Sequence, residues 1–345
     1  MANRITNVRR LLEEREEFLS PFACKSRLSR GRQRPENPSP VRLDFQRDRD
    51  RILHCNSFRR LKHKTQVFIA PVGDHYVTRL THTLEVAQIA RTISRALNLN
   101  EDLTEAIGLG HDLGHTPFGH MGEDVLNELF AAGFRHNEQS LRVVDCLENN
   151  GNGLNLTWEV RDGILNHSKT RVIGIMGEKW GSSGTLEGEI CKIADIVAYI
   201  NHDIDDAVRA GIIKENDLPS SASALLGHSR AERINSLVCD IIESSWAVSG
   251  LITTKRKPKI KMSARFKEAA GTLHEFLYDK VYYVSSVTAD AENARKILRN
   301  LYEYFNTHRS SLPPEYCDPE RQVVDYIASM TDQYALRKAH ELGLD

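Results

Sequence analysis

Three stretches of this chain repeat apolar residues at a three-to-four spacing, and each also carries an ionisable group within or at the end of its apolar run. Leu80, Leu84, Ala87, Ile89, Ile93 and Ala96 mark an amphipathic helix over Arg79–Asn98, with His82 beside Leu80 and Leu84. Asp102–His111 reads as a second, more apolar helix that ends on His111-Asp112 and is stopped by Gly114 and Pro117. Glu187–Ala210 reads as a third, with Ile190, Ile193, Ala194, Val197 and Ala198 on its inner face and Gly211 at its end. Asp195 lies in the middle of that apolar helix. A buried carboxylate without a partner costs on the order of several kcal/mol, so such helices pack well only if their polar groups meet.

Further helical patterns run from about residue 226 to 343, and no alternation of strand and helix patterns would build a parallel sheet. The expected fold class is all-α. Ser29–Pro40 carries three prolines, one glycine and three arginines and reads as an irregular arm leading into the body. Val67–Val77 (VFIAPVGDHYV) has extended character and predicts a turn or short hairpin, and Lys255–Lys261 (KRKPKIK) a basic loop or short strand. The chain divides into an N-terminal arm over 1–40, a metal-binding core over 41–215, and a C-terminal helical region over 216–345 packed on that core.

The totals bound the function. Forty-six basic residues against 47 acidic ones give a net charge of −1, so a general nucleic-acid coat is not indicated and any anion site must be local. The six cysteines are far apart with no C-x-x-C pair, which argues against a structural zinc site or a disulfide framework. No apolar run approaches the roughly 18 residues of a membrane span, and Met1–Arg10 is not signal-like. A cytoplasmic protein with reduced thiols and no membrane partner is the expectation.

His82, His111, Asp112 and Asp195 would supply two nitrogens and two oxygens from three helices to one shared cation. Such a shell leaves positions open for water, which loses its proton more easily at a metal than in bulk. Each residue alone has a plainer reading. A lone helical histidine is ordinarily a hydrogen-bonded core or surface residue, and Asp195 could be one half of a buried ion pair. The surrounding sequence weighs against this. His111-Asp112-Leu113-Gly114-His115-Thr116-Pro117-Phe118-Gly119-His120 puts three histidines and an aspartate at a helix end, which packing does not require.

RLTHTLEVAQIAR (Arg79–Arg91), HDLGHTPFGHMGE (His111–Glu123), HNEQS (His136–Ser140), GLNLTWEVRDGILNH (Gly153–His167) and ADIVAYINHDIDDA (Ala194–Ala207) resemble the HD-domain deoxyguanosinetriphosphate triphosphohydrolase family, in its shorter bacterial branch. FQRDRDRILHCNSFRRLKHKTQVF (Phe45–Phe68) and DYIASMTDQYAL (Asp325–Leu336) extend the likeness over residues 28–340. The resemblance implies an HD-domain helical bundle and an enzyme that hydrolyses a deoxynucleoside triphosphate to a deoxynucleoside and inorganic triphosphate. It also implies a homo-oligomer, and some members answer to a nucleotide effector. Two imidazole ligands favour Mn, Fe, Co, Ni or Zn, with Mg accompanying the substrate phosphates.

The resemblance makes His120 and Glu123 the catalytic pair. Glu123 lies one turn beyond His120 in a new helix, where it would orient the imidazole and keep it protonated. His115 would approach the α-phosphate and His136 would be a further active-site histidine, although His136 equally fits a plain helix start before NEQSLRVV. Asp195, Tyr199 and Asp203 fall at i, i+4 and i+8 on one stripe. The resemblance assigns Tyr199 to phosphate and Asp203 to a sugar hydroxyl, against core packing for the first and a solvated acidic face for the second. Arg79, one turn before His82, and Arg60 would bind triphosphate, and Gln66 would contact the sugar. Other HD-type enzymes (a 5′-nucleotidase or a phosphodiesterase) and a nucleotide-sensing or single-strand-binding protein remain as alternatives at this level.

Overall fold

In the computed structural model the chain is all-α, and residues 8–67, 76–168, 183–286, 288–313 and 318–345 are described. Among them, β-type pairing is confined to two isolated antiparallel bridges, Arg32 with Thr157 and Thr65 with Thr78. The predicted hairpin over Val67–Val77 lies mostly outside the described residues, and the Thr65–Thr78 bridge brackets it. Lys255–Lys261 is a loop without helix or strand, its basic side chains exposed while Pro258 is buried and Ile260 packs against the apolar core. No helix is long and apolar enough to cross a membrane among the described residues.

The order of elements is α1 (Val8–Glu16), α2 (Asp44–His54), α3 (Asn56–Arg60), α4 (Arg79–Ala96), α5 (Glu101–Gly110), α6 (Gly119–Leu129), α7 (His136–Arg142), α8 (Trp158–Asn166), α9 (Leu186–Arg209), α10 (Ser220–Leu226), α11 (Arg230–Ser244), α12 (Ala264–Leu277), α13 (Ala289–Thr307), α14 (Gln322–Ser329) and α15 (Asp332–Glu341). The three helices expected to carry the metal set are capped by side chains that take up free backbone N–H groups. Thr78 accepts from Thr81 at the start of α4, Asn100 from Leu103 at α5 and Thr185 from Gly188 at α9. The α4 cap places Arg79 and His82 in the first turn. α4 ends two residues before the expected Asn98, which takes a left-handed φ of 54°.

Two apolar clusters organise the packing. The first gathers α2, α4, α5, α8 and α9 with α10 to α12, from Phe45 to Val281. The second joins Phe118, Val125, Leu126, Phe130 and Phe134 to α13, α14 and α15. Leu113 belongs to the first and Phe118 to the second, so the histidine-rich loop after α5 crosses from one cluster to the other.

Residues 29–43 form no helix but are anchored closely. Arg32 pairs with the fully buried Asp48 and lies 3.0 Å from Glu36, and Asp48 accepts from Thr157 N at 2.8 Å and Thr157 Oγ1 at 2.7 Å. Arg30 stacks over the Trp158 ring at 3.7 Å. Removing one partner of a buried charge pair typically costs about 3–5 kcal/mol, because the other charge is left stranded. Arg32→Ala is therefore expected to destabilise the fold by about 3 kcal/mol or more, read as a lower urea midpoint at unchanged slope.

Candidate metal centre

α4, α5 and α9 each deliver part of one buried polar centre. His82 comes from the first turn of α4, His111-Asp112 from the end of α5, and Asp195 from the middle of α9. His82, His111 and Asp112 are almost fully buried, and Asp195 keeps 23% of its side chain accessible. His82 Nε2 lies 3.1 Å from Asp195 Oδ1, and His111 Nε2 lies 3.5 Å from Asp112 Oδ1. The His82 and His111 rings are 5.4 Å apart. Ligand atoms of His82, His111 and Asp112 all fall within 4.8 Å of one another.

The hydrogen bonds of His111 test whether this set fits a metal. Its Nδ1 lies 2.7 Å from Gly108 O, which only accepts, so Nδ1 carries the proton and Nε2 offers a lone pair. That Nε2 is buried without a hydrogen-bond partner, beside a carboxylate oxygen. A stranded buried acceptor is unfavourable, and a cation relieves it. Burial opposes charge on Asp112 and Asp195, yet the imidazoles around both, and Arg79 beside Asp112, hold the two carboxyls below their ordinary range. The residues fit a divalent transition metal.

The loop leaving α5 brings a second group of histidines against the first. A side chain at Gly114 would overlap the backbone of Gln139 and Ser140, so glycine lets the loop lie directly on α7, where Gly114 N donates to Ser140 Oγ at 2.9 Å. Phe118 adopts a left-handed φ of 60° and α6 starts at Gly119. Glu123, one turn into α6, accepts from His120 Nδ1 at 2.9 Å and from His136 Nδ1 at 2.9 Å. Burial opposes charge on Glu123, but the His136 and His120 imidazoles outweigh it and hold its carboxyl far below the usual range. The His120 side chain is 65% exposed. His115 stacks on His136 at 4.2 Å and is buried, and its pKa is pushed well down by burial and by Arg79. His115 Nε2 is 3.9 Å from Asp112 Oδ1, so the two histidine groups are continuous.

The expected substrate residues divide. Arg79 is fully buried and donates from Nη1 to Asp112 Oδ2 at 2.7 Å, while its Nε and Nη2 have no partner among the described residues. Gln66 Oε1 is likewise buried without a partner. Tyr199 packs at the edge of the first apolar cluster, with its ring edge-on to His274. Asp203 is 3% exposed and accepts from Tyr282 Oη at 2.6 Å, so the acidic-face alternative does not hold for it. Arg60 is turned elsewhere, bonded to Ser57 Oγ at 2.9 Å and facing a cavity with Lys64, Gly114 and Gln139.

Several residues at the centre had no assigned task in the sequence. His167 closes α8, and its Nδ1 lies 2.7 Å from Ile164 O, the same i−3 arrangement as His111 with Gly108. The repeated signal is an apolar helix end finished by histidine, IGLGH (Ile107–His111) and GILNH (Gly163–His167). Burial and then the nearby His111 push the His167 pKa down to about 3, which keeps it neutral. His202 lies 2.8 Å from His82 Nδ1 and 2.7 Å from Asp203, seven residues after Asp195 and so on the same face of α9, a spacing that could have found it. The DYIASMTDQYAL segment holds the histidine loop from behind. Asp332 accepts from Phe118 N at 2.9 Å and Thr65 N at 2.8 Å, and buried Lys64 bridges the carbonyls of His115 and Ala328. Asp325 accepts from Gln139 and Arg142 on α7.

Comparison with known proteins agrees with this geometry. Residues 79–200 match the HD domain and residues 260–341 match the phosphohydrolase-associated domain. A deoxyguanosinetriphosphate triphosphohydrolase-like protein of Caldanaerobacter subterraneus subsp. tengcongensis is 55% identical, with 98% of this chain and 96% of that protein covered. Proteins of the same description from Desulfatibacillum aliphaticivorans and Clostridium perfringens are 49% and 48% identical, covering 97% and 94% of this chain and 97% and 94% of their own lengths.

Because the neighbours of Gly114 are backbone atoms that cannot swing aside, Gly114→Ala forces α7 outward. The expected result is a loss of about 1–3 kcal/mol in stability, the usual cost of overpacking, measured by chemical denaturation.

Proposed function

The chain belongs to the deoxyguanosinetriphosphate triphosphohydrolase-like family of HD-domain, metal-dependent phosphohydrolases, and from that membership we propose that it hydrolyses deoxynucleoside triphosphates to a deoxynucleoside and inorganic triphosphate. The observation that carries this reading is the adjacency of two different devices. One is a buried imidazole–carboxylate centre with a stranded acceptor. The other is an accessible histidine, His120, anchored by a charged glutamate.

His82, His111, Asp112 and Asp195 would hold a divalent transition metal, Mn, Fe, Co, Ni or Zn, with Mg travelling on the substrate. When bound, that ion would acidify a water and offset phosphate charge. The remaining work falls to side chains. Arg79 has two buried donors without partners, and they would meet phosphate oxygens while Nη1 stays on Asp112. Buried His115, held neutral, would lie along the α-phosphate. Tyr199 would donate its hydroxyl to a phosphate oxygen. Gln66 Oε1 and Asp203 Oδ1 are acceptors without an aligned donor, suited to a sugar hydroxyl. Arg60, bonded to Ser57, would reach substrate only by leaving that partner.

In the proposed reaction water adds to the α-phosphorus and the bond from that phosphorus to the 5′ oxygen breaks. His120, its Nδ1 fixed by Glu123, supplies the proton that the departing 5′ oxygen requires. His136, whose Nδ1 lies 2.9 Å from Glu123 Oε1 and 3.0 Å from Oε2, holds that carboxylate in place.

The test is a panel of dNTPs and NTPs with added Mn²⁺, followed by phosphorus NMR. Release of triphosphate from dNTPs is expected, whereas release of phosphate or pyrophosphate would overturn the reading. Asp112→Ala should lose both metal and turnover. His120→Ala should keep its metal and slow turnover by about 10²-fold, the usual span for a general acid.

A further inference from the structure

The outer ring nitrogen of a metal-binding histidine is best held by a partner that only accepts, because that leaves the lone pair on the nitrogen facing the ion. His111 has such a partner in its own helix, with Nδ1 2.7 Å from Gly108 O, and His167 repeats the arrangement with Ile164 O. His82 differs. It stands in the first turn of α4, and its Nδ1 meets His202 Nε2 on α9 at 2.8 Å. An imidazole nitrogen accepts only when it is bare, so His202 can stand in for a carbonyl only with its own proton on Nδ1.

Facing His202 Nδ1 is the Asp203 carboxylate, with Oδ1 at 2.7 Å. An ionised carboxylate has no proton to offer and favours an N–H at the nitrogen beside it. The contact lies off the N–H axis, so Oδ1 keeps room for a further donor, while Oδ2 accepts from Tyr282 Oη at 2.6 Å. His82, His202 and Asp203 are all buried, so bulk water does not readily replace a lost partner. Helix geometry makes the line possible. His202 and Asp203 follow Asp195 by seven and eight residues, two turns along one face of α9. Asp195 Oδ1 lies 3.1 Å from His82 Nε2, so one helix meets both nitrogens of the same ring.

We propose that His202 is a positioning residue: oriented by Asp203, it accepts from His82 Nδ1 and so presents His82 Nε2 as a lone pair to the cation. The metal centre and the carboxylate assigned to the sugar hydroxyl then form one connected line, from Asp203 through His202 to His82. The end of that line at the sugar rests on the proposed reaction, and the end at the metal does not. A ring that merely filled space could be replaced by any side chain of its size. A ring that accepts a hydrogen bond needs an acceptor at the Nε2 position.

The full chain, stripped of metal, is titrated with Mn²⁺ in the absence of nucleotide, and free ion is read by its six-line paramagnetic resonance signal. His202→Leu, which keeps much of the volume and removes both nitrogens, is expected to weaken binding about 10–100-fold, the usual span for such a supporting partner. His202→Gln, whose amide oxygen can fall near the Nε2 position, should restore most of that loss. Asp203→Asn, whose amide can donate to Nδ1 and so favour the other tautomer of His202, should weaken binding in the same direction with every metal ligand intact. Circular dichroism checks that each variant is folded. Should His202→Leu fail to fold, His202→Gln against His202→Asn decides, because the shorter Asn amide does not reach His82. Wild-type affinity in His202→Leu, no advantage of Gln over Leu or Asn, or unchanged affinity in Asp203→Asn would each overturn the proposal. Triphosphate release alongside any of those results leaves the proposed reaction standing, and rescue by Gln in a chain that releases no triphosphate does the reverse.

Discussion

The arrangement depends on keeping one carboxylate, Asp112, charged while it is almost fully buried. Burial works against that charge, and the histidines and Arg79 around it overcome the penalty. The two oxygens have separate duties, Oδ2 bound to a guanidinium and Oδ1 turned toward imidazole nitrogens. Packing has to hold Arg79, His82, His111 and His167 around this group, although they come from three helices separated by up to 88 positions along the chain. α4, α5, α8 and α9 share one apolar cluster, and that shared core fixes their polar ends in register.

The second apolar cluster gives the C-terminal region a part in the site. α13 packs on α6 and also on α14 and α15, and from the start of α15 Asp332 reaches the backbone of Phe118 while Lys64 is held by the carbonyls of His115 and Ala328. A left-handed phenylalanine is an unfavourable conformation, of order 1–2 kcal/mol, and the partly buried hydrogen bond from its N–H to Asp332 helps to maintain it. The loop carrying His115 and His120 is thereby braced by residues two hundred positions away. The match of residues 260–341 to a phosphohydrolase-associated domain has a physical counterpart in these contacts.

Much of the fold was legible because helical periodicity is a local property. The helices containing His82, His111 and Asp195 begin and end within two residues of expectation, since their caps are neighbouring side chains. The clustering of His111, Asp112, His115 and His120 was legible for the same reason, being contained in ten residues. His167 and His202 carried no such signal. His167 is a lone histidine fifty-six positions from His111, and His202, although seven residues after Asp195 and so on its face of α9, lies more than eighty positions from the ten-residue cluster. For Asp203 the spacing from Asp195 favoured a site role over a solvated acidic face, and Tyr282, from the π-helical turn after α12, bonds to it in the interior.

The sequence by itself determined the helical class, the positions of the main site helices and the residue types a metal would find there, because spacing and side-chain chemistry are written along the chain. Tertiary structure alone decided which of fourteen histidines face one another, that His111 and His167 each turn Nδ1 to a backbone carbonyl, and that Arg60 turns away while Arg79 turns in. Those outcomes depend on distances between helices, and such distances come from the packing of apolar faces that no local pattern encodes.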